Sequence, residues 1–406
     1  MQKKLIALAI ASLSGAAFAD ASNVTIYGVA DGSFDVINVS GGNGAVDTPR
    51  FSRVSSNGSH IGLKGKENLG NGLSAIFQFE SDANFDNGGS LNTNRDSFVG
   101  LTGNFGTVVL GTLTAPSRAL AARLDVNSGE SISSNTAVLG KLGGALSDGR
   151  DLKNTLTGSN TGNVNANLRS NDTTSVFDSR HSNAIAYVSP SFSGFQATAA
   201  YMANENKSEA VLGGVAAGIN TSAYDLGLNY DNGPVMVGLT YAEVRVKNEP
   251  ANAITNLTTG PGTDLKLKET RLGGMYDFGV ATVRAMYART KAEDSITDMK
   301  QNVWGIGGTY NVTANGKITA QYYVAKDLDD STAGGDINDS GAKFYTLGYE
   351  HSLSKRTMLK AGYAYLKNDN NVSTAGGGYD FGYNSSGFTG DNVKVSGFQF
   401  GVRHAF

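Results

Sequence analysis

The residues of this chain that could do chemistry do not assemble into a reaction centre. Its four histidines, His60, His181, His351 and His404, lack the spacing that brings two imidazoles and a carboxylate onto one metal. There is no cysteine, which excludes thiolate nucleophiles and thiolate metal sites. Neither a Gly-x-Ser-x-Gly elbow nor a phosphate-cradling glycine loop occurs. No catalytic residue, metal or cofactor is therefore expected. What remains is fixed charge. Lys64 and Lys66 share one parity, opposite Ile61 and Leu63, so an extended segment sends both into the same compartment. Residues 114–179 carry Arg118, Arg123, Asp125, Glu130, Lys141, Asp148, Arg150, Asp151 and Lys153. Fixed cations on a low-dielectric wall concentrate anions, and facing carboxylates make a transverse field that orients dipolar solutes. Arg suits such a wall because it keeps its proton. The plainer account of each charge is a solvated rim group.

The elements that must hold these charges read as strands. The C-terminus shows the pattern best. Phe398, Phe400, Val402, His404 and Phe406 fall on one face, and Gly397, Gln399, Gly401, Arg403 and Ala405 on the other. Leu73, Ala75, Phe77 and Phe79 likewise oppose Ser74, Gln78 and Glu80. Similar segments recur near 195–201, 224–230, 235–241, 271–278, 282–287, 318–324, 345–350 and 359–365. Each is roughly ten residues, the length a tilted strand needs to cross a hydrocarbon layer. Parity is blurred near 51–66, 94–103 and 107–113. Residues 1–19 combine Lys3 and Lys4, an apolar run Leu5–Ala11 and Ala17-Phe18-Ala19, the parts of a cleaved secretory signal. Its loss takes the net charge from −3 to −5, a balance with no nucleic-acid footprint. No other stretch approaches the ~20 apolar residues of a membrane helix, so any crossing must use a closed barrel.

Connections alternate in length. Short ones fall at Asn71-Gly72, Asn104-Phe105, Asn232-Gly233, Asn315-Gly316 and Ser354-Lys355, and long ones near 40, 88, 145, 212, 255, 295, 333 and 378. Eight long loops with a strand on each side imply about sixteen antiparallel strands: an all-β transmembrane barrel over 20–406, with short periplasmic turns and long extracellular loops. The third loop, about 114–179, is out of proportion. A barrel of this size leaves a wet lumen unless something narrows it, and this loop is placed to fold inward.

Several stretches carry a family resemblance. They are Val24–Asp31, Ile61–Leu73, Ala75–Glu80, Phe98–Leu101 with Phe105–Gly111, Tyr187–Pro190 with Phe192, and Gly401–Phe406. Together they resemble the general-diffusion porins of β-proteobacteria and Neisseria. The resemblance implies a homotrimer in the outer membrane, amid its lipids and lipopolysaccharide, passing small hydrophilic solutes passively. It implies a constriction between the third loop and basic wall residues, here Arg53, Arg95 and Arg180 beside Lys64 and Lys66. Asp125 and Glu130 become the loop's acidic partners, and anions the preferred ions. Terminal Phe406 becomes the signal read by the barrel-assembly machinery. The chain departs from the pattern at His60 and Thr112, where arginine is common, and in its longer third loop. The competing expectation is a barrel plugged by that loop, acting as a surface binding or adhesion protein.

Overall fold

The computed structural model describes residues 23–42, 48–89, 91–144, 146, 168–169, 175–203, 208–212, 215–249, 264–293, 298–331, 334–375, 378–381 and 390–406. The expected signal segment 1–19 lies outside them. Sixteen antiparallel strands close into a barrel. β1 is Asn23–Ser40, and β2 comes in two runs, Thr48–Ser56 and His60–Gly70. Next are β3 (Leu73–Asp82), β4 (Ser97–Gly103), β5 (Gly106–Thr114), β6 (Arg180–Val188), β7 (Phe195–Met202) and β8 (Val215–Asn232). Then come β9 (Val235–Glu249), β10 (Asp264–Asp277), β11 (Ala281–Glu293) and β12 (Asp298–Asn311). The last four are β13 (Gly316–Ala325), β14 (Ala342–Ser352), β15 (Thr357–Asn368) and β16 (Lys394–Ala405).

Closure comes from the two ends. β1 pairs with β16 from Val29 opposite Ala405 to Ser40 opposite Lys394. Phe406 finishes the seam: its N–H donates to Gly28 O at 3.0 Å, and Gly28 N–H donates back to Phe406 O at 3.2 Å. The Phe406 ring covers Gly28, where a β-carbon would collide with it. A closed sheet has no edge, so every backbone group of the wall can be paired in lipid. No helix among the described residues is long and apolar enough to cross a membrane.

Alternation sorts the side chains. Leu226, Leu228, Leu239, Leu272, Phe398, Phe400 and Val402 point outward and stay exposed, whereas Asp225, Thr240, Arg271, Gln321 and Gln399 point inward. Short turns and long loops fall where the sequence places them. At the first turn Asn71 and Gly72 both take positive φ, 52° and 76°, as a two-residue hairpin turn requires.

Blurred parity has two causes. In β2, Gly32 pairs with Ser56 and Val29 with His60, so four steps on β2 span three on β1. This extra residue moves the inward set from odd positions, Arg53 and Ser55, to even ones, His60, Gly62, Lys64 and Lys66. In β3–β7 the inward face is itself partly apolar. Ile76, Phe98, Val109, Ala184, Ala186 and Ala200 form a buried cluster there, so both faces look alike in the sequence.

Candidate functional site

The third loop enters the lumen as a short helix, α1 (Pro116–Leu124). Pro116 stands at its start, where a missing N–H costs nothing. The next free N–H, on Ser117, donates to the wall carboxylate Asp225 at 3.1 Å, and Ser117 Oγ donates to the same oxygen. That satisfies an orphan donor and places an anion at the positive helix end. The other face is held by holes in the wall. Leu120 lies over Gly238 of β9 and Leu124 over Gly273 of β10, each filling the space of a β-carbon. Leu124→Ala is expected to weaken helix docking by about 2–5 kcal/mol. Hydrogen exchange should show it as faster exchange of amides 118–125, with the strand amides unchanged.

Beyond α1 the loop is stitched along the far wall. Asn127 is clipped between β13 and β14: its Nδ2 donates to Thr346 Oγ1 at 2.8 Å, and Thr319 Oγ1 donates to its Oδ1 at 3.1 Å. The loop tip then reaches the gap in β2. Gly58 N–H donates to Gly129 O at 3.0 Å, and Ser131 N–H donates to Asn57 Oδ1 at 3.0 Å. Ser131 Oγ donates to Asp35 at 2.7 Å. The bulge thus frees a backbone N–H, that of Gly58, which the tip satisfies. The returning segment is anchored by Arg271 of β10. Its guanidinium grips Asp178 in a fork at 2.6 and 2.9 Å, donates to Ser117 O at 3.0 Å, and meets Glu269 at 2.5 Å.

The acidic loop residues do not act as a pair facing the wall arginines. Asp125 is turned into the loop itself. It accepts from the N–H of Asn127 and Asn135, both at 2.9 Å, and from Ser134 Oγ at 2.7 Å. Burial pushes its carboxyl up against these bonds. An Asp two residues before a turn finds its own backbone sooner than a distant wall. Glu130 does meet a basic wall residue, but it is Lys360 of β15, at 2.6 and 2.7 Å. Gln399 donates to Glu130 at 2.7 Å, and Asp31 of β1 shares the Lys360 ammonium.

Loop and helix thus cover the wall from β8 round to β1. Inward Asp225, Arg271, Gln321 and Thr346 keep at most 4% exposure. Along β2 to β6, beside the apolar patch, Arg53, Arg95 and Arg180 keep partial contact with water. Their side chains keep 26%, 15% and 11% exposure. Each is braced by a wall carboxylate rather than a loop one. Arg53 pairs with Asp35 at 3.2 Å, and Arg180 with Asp96 at 2.9 Å. Arg95 holds Asp82 at 2.9 Å and also Glu80. Asp35, Glu80 and Asp96 keep 0%, 7% and 6% exposure, so these anions sit behind their guanidiniums.

Arg118, carried by α1, is the member of this cluster that sequence reasoning did not single out. It donates to Asp178 O. Desolvation and then the neighbouring Arg180 push it down to about 9, which leaves it charged at neutral pH. Lys64 and Lys66 face the lumen by register, in line with Gln78 and Ile76. They lie toward the short-turn end, away from the loop. Both are exposed, and Lys64 Nζ stands 4.9 Å from the centre of the Tyr27 ring. His60 has its Nδ1 at 2.8 Å from Gly58 O and its Nε2 at 4.0 Å from Glu80.

This arrangement can be set beside known proteins. Residues 5–371 match the model of the Gram-negative porin family. Outer membrane porin protein 32 of Delftia acidovorans is 32% identical, with 100% of both chains covered. A Bordetella pertussis outer membrane porin is 31% identical over 91% of this chain and 95% of its own. Among solved structures, an anion-selective porin from Comamonas acidovorans superposes with a TM-score of 0.70 at 27% identity, covering 95% of this chain and all of that one. A closed sixteen-stranded barrel, a third loop folded into its lumen and these full-length matches agree: the chain belongs to the Gram-negative porin family and is a protein of the outer membrane.

Proposed function

We propose that this barrel is a passive channel for small hydrophilic solutes and that it favours anions. One observation carries the preference: along the uncovered wall the guanidiniums of Arg53, Arg95 and Arg180 stand toward water, with Asp35, Glu80 and Asp96 behind them. Water therefore meets the positive end of these three pairs, Asp82 being the one partner that keeps more exposure than its arginine, and Arg118 adds a further positive group from the loop side. Lys64 and Lys66 extend the positive path toward the short-turn end, and neither makes an ion pair among the described residues. In a narrow low-dielectric passage such a field raises the local anion concentration. The likeness to the anion-selective porin of Comamonas acidovorans supports the same sign. The plugged adhesion reading is not favoured, because the arginine wall keeps its contact with water. Porins work without a catalytic centre, and no reaction is proposed. Three barrels per particle, and a role for Phe406 in assembly, follow from the family likeness.

Planar-bilayer recording of the purified protein tests the channel. Stepwise, ohmic current increments that arrive in threes are expected. Folded, heat-modifiable protein that inserts without current would contradict the reading and favour the plugged barrel.

A further inference from the structure

The outer wall carries two rows of lysines with different surroundings. In the first, Lys268, Lys291 and Lys300 stand directly opposite one another across β10, β11 and β12. In the second, Lys343, Lys367 and Lys394 do the same across β14, β15 and β16. Like charges facing each other across strands repel. The first row is compensated. Glu293 meets Lys268 at 2.5 Å and Lys291 at 3.2 Å, and Asp329 meets Lys300 at 2.5 Å. Glu243 also pairs in register with Lys268. In the second row no lysine lies in an ion pair among the described residues. An acid that feels two of them is Asp369, at the start of the loop after β15: burial pushes its carboxyl up, and Lys343 and Lys367 only partly oppose this.

Position says what could complete this row. Register puts the three lysines on the lipid-facing side, at the long-loop end of their strands. Immediately below them Tyr345 and Tyr365 stack with centroids 5.0 Å apart, and Tyr363 packs on Phe398 at 4.8 Å. An aromatic band under a cationic one is the layering of a membrane interface. Adjacent strands are about 4.8 Å apart, so three ammoniums span roughly 10 Å at headgroup height. We propose that Lys343, Lys367 and Lys394 form a docking site for a phosphate-bearing glycolipid of the outer leaflet, its phosphates on the lysines and its acyl chains along the aromatic platform. The compensated row on β10–β12 has no such role. The inference rests on the outer-membrane assignment and deepens it.

The test uses whole protein in detergent micelles and purified lipopolysaccharide, native and enzymatically dephosphorylated, with bound lipid counted by native mass spectrometry. Each Lys→Gln change in the row should weaken binding about 5-fold, and Lys343→Gln/Lys367→Gln/Lys394→Gln roughly a hundredfold. The matching triple at Lys268, Lys291 and Lys300 should change it less than about twofold. The Lys→Arg triple should bind as wild type does, which guards against a folding artefact. Dephosphorylated lipid should bind wild type as weakly as native lipid binds the Gln triple. Equal binding by wild type and the Gln triple overturns the proposal. So does full displacement of lipid by equimolar inorganic phosphate, or loss of subunit association with lipid retained. Conductance should be unchanged in the Gln triple, since the row lies outside the lumen. A lost current would therefore count against the channel and a lost lipid effect against this site.

Discussion

Replacing Arg53, Arg95 and Arg180 together with Gln is expected to do more than abolish anion preference: it should reverse it. The three guanidiniums screen Asp35, Glu80 and Asp96 from the open wall, and Arg95 also neutralises the more exposed Asp82. Without them the same wall presents carboxylates to the solution. Under a tenfold KCl gradient the limit for perfect selectivity is about 59 mV of either sign. The reversal potential should cross zero and settle on the cation side. Single replacements should shift it part of the way, Arg53→Gln the most, because its side chain is the most exposed of the three. Leaving a buried carboxylate unpaired costs about 3–5 kcal/mol, so some thermal stability should go as well. Pairing Arg180→Gln with Asp96→Asn separates the two effects: stability should largely return while the potential still shifts. An unchanged potential in the triple variant would show that these arginines do not set the field.

The second large effect is expected at the loop tip. Lys360→Met leaves Glu130 facing Asp31 without the ammonium they share, and only Arg403, 3.6 Å from Asp31, remains as a cation beside them. Undocking the tip then relieves about 3–5 kcal/mol of strain. Amides 127–135 should lose their exchange protection, and open-channel current noise should rise. Adding Glu130→Gln should restore much of the docking. The same trio makes docking depend on pH. Burial, reinforced by Asp31 and opposed by Lys360, pushes Glu130 up to about 7 from an ordinary 4.5. Between those values the docked tip binds more protons than the free one, so docking weakens as pH rises through that window. Protection of 127–135 should be greater at pH 5 than at pH 8, and in Glu130→Gln the difference should vanish. Greater protection at pH 8 would reverse the assigned sign.

The fold was legible because a barrel wall separates two solvents. Segments such as Leu226–Tyr230 announce an inward and an outward face by alternation alone, and the Asn-Gly turns mark one rim. The exceptions have local causes: the extra residue between Ser56 and His60, and the apolar lumen patch around Phe98 and Val109. The site was legible in part. Inward parity exposed Glu80, yet parity cannot say what a residue meets across the lumen. Arg271 meets the returning loop, and Glu80 braces Arg95. Lys360 and Arg118 were missed for the same reason, since their partners lie 230 and 60 residues away along the chain. Asp125 looked like a pore acid only because its turn, which takes up both of its carboxylate oxygens, has no sequence signature stronger than its serines and asparagines.

A channel whose arginine wall sets its ion preference must show that preference in the sign of one potential. Its most direct test is the reversal potential of the wild-type protein in a planar bilayer under a tenfold KCl gradient. A stable potential on the chloride side of zero is expected at neutral pH, shrinking as salt is raised on both sides and screens the wall. A potential on the potassium side would contradict it.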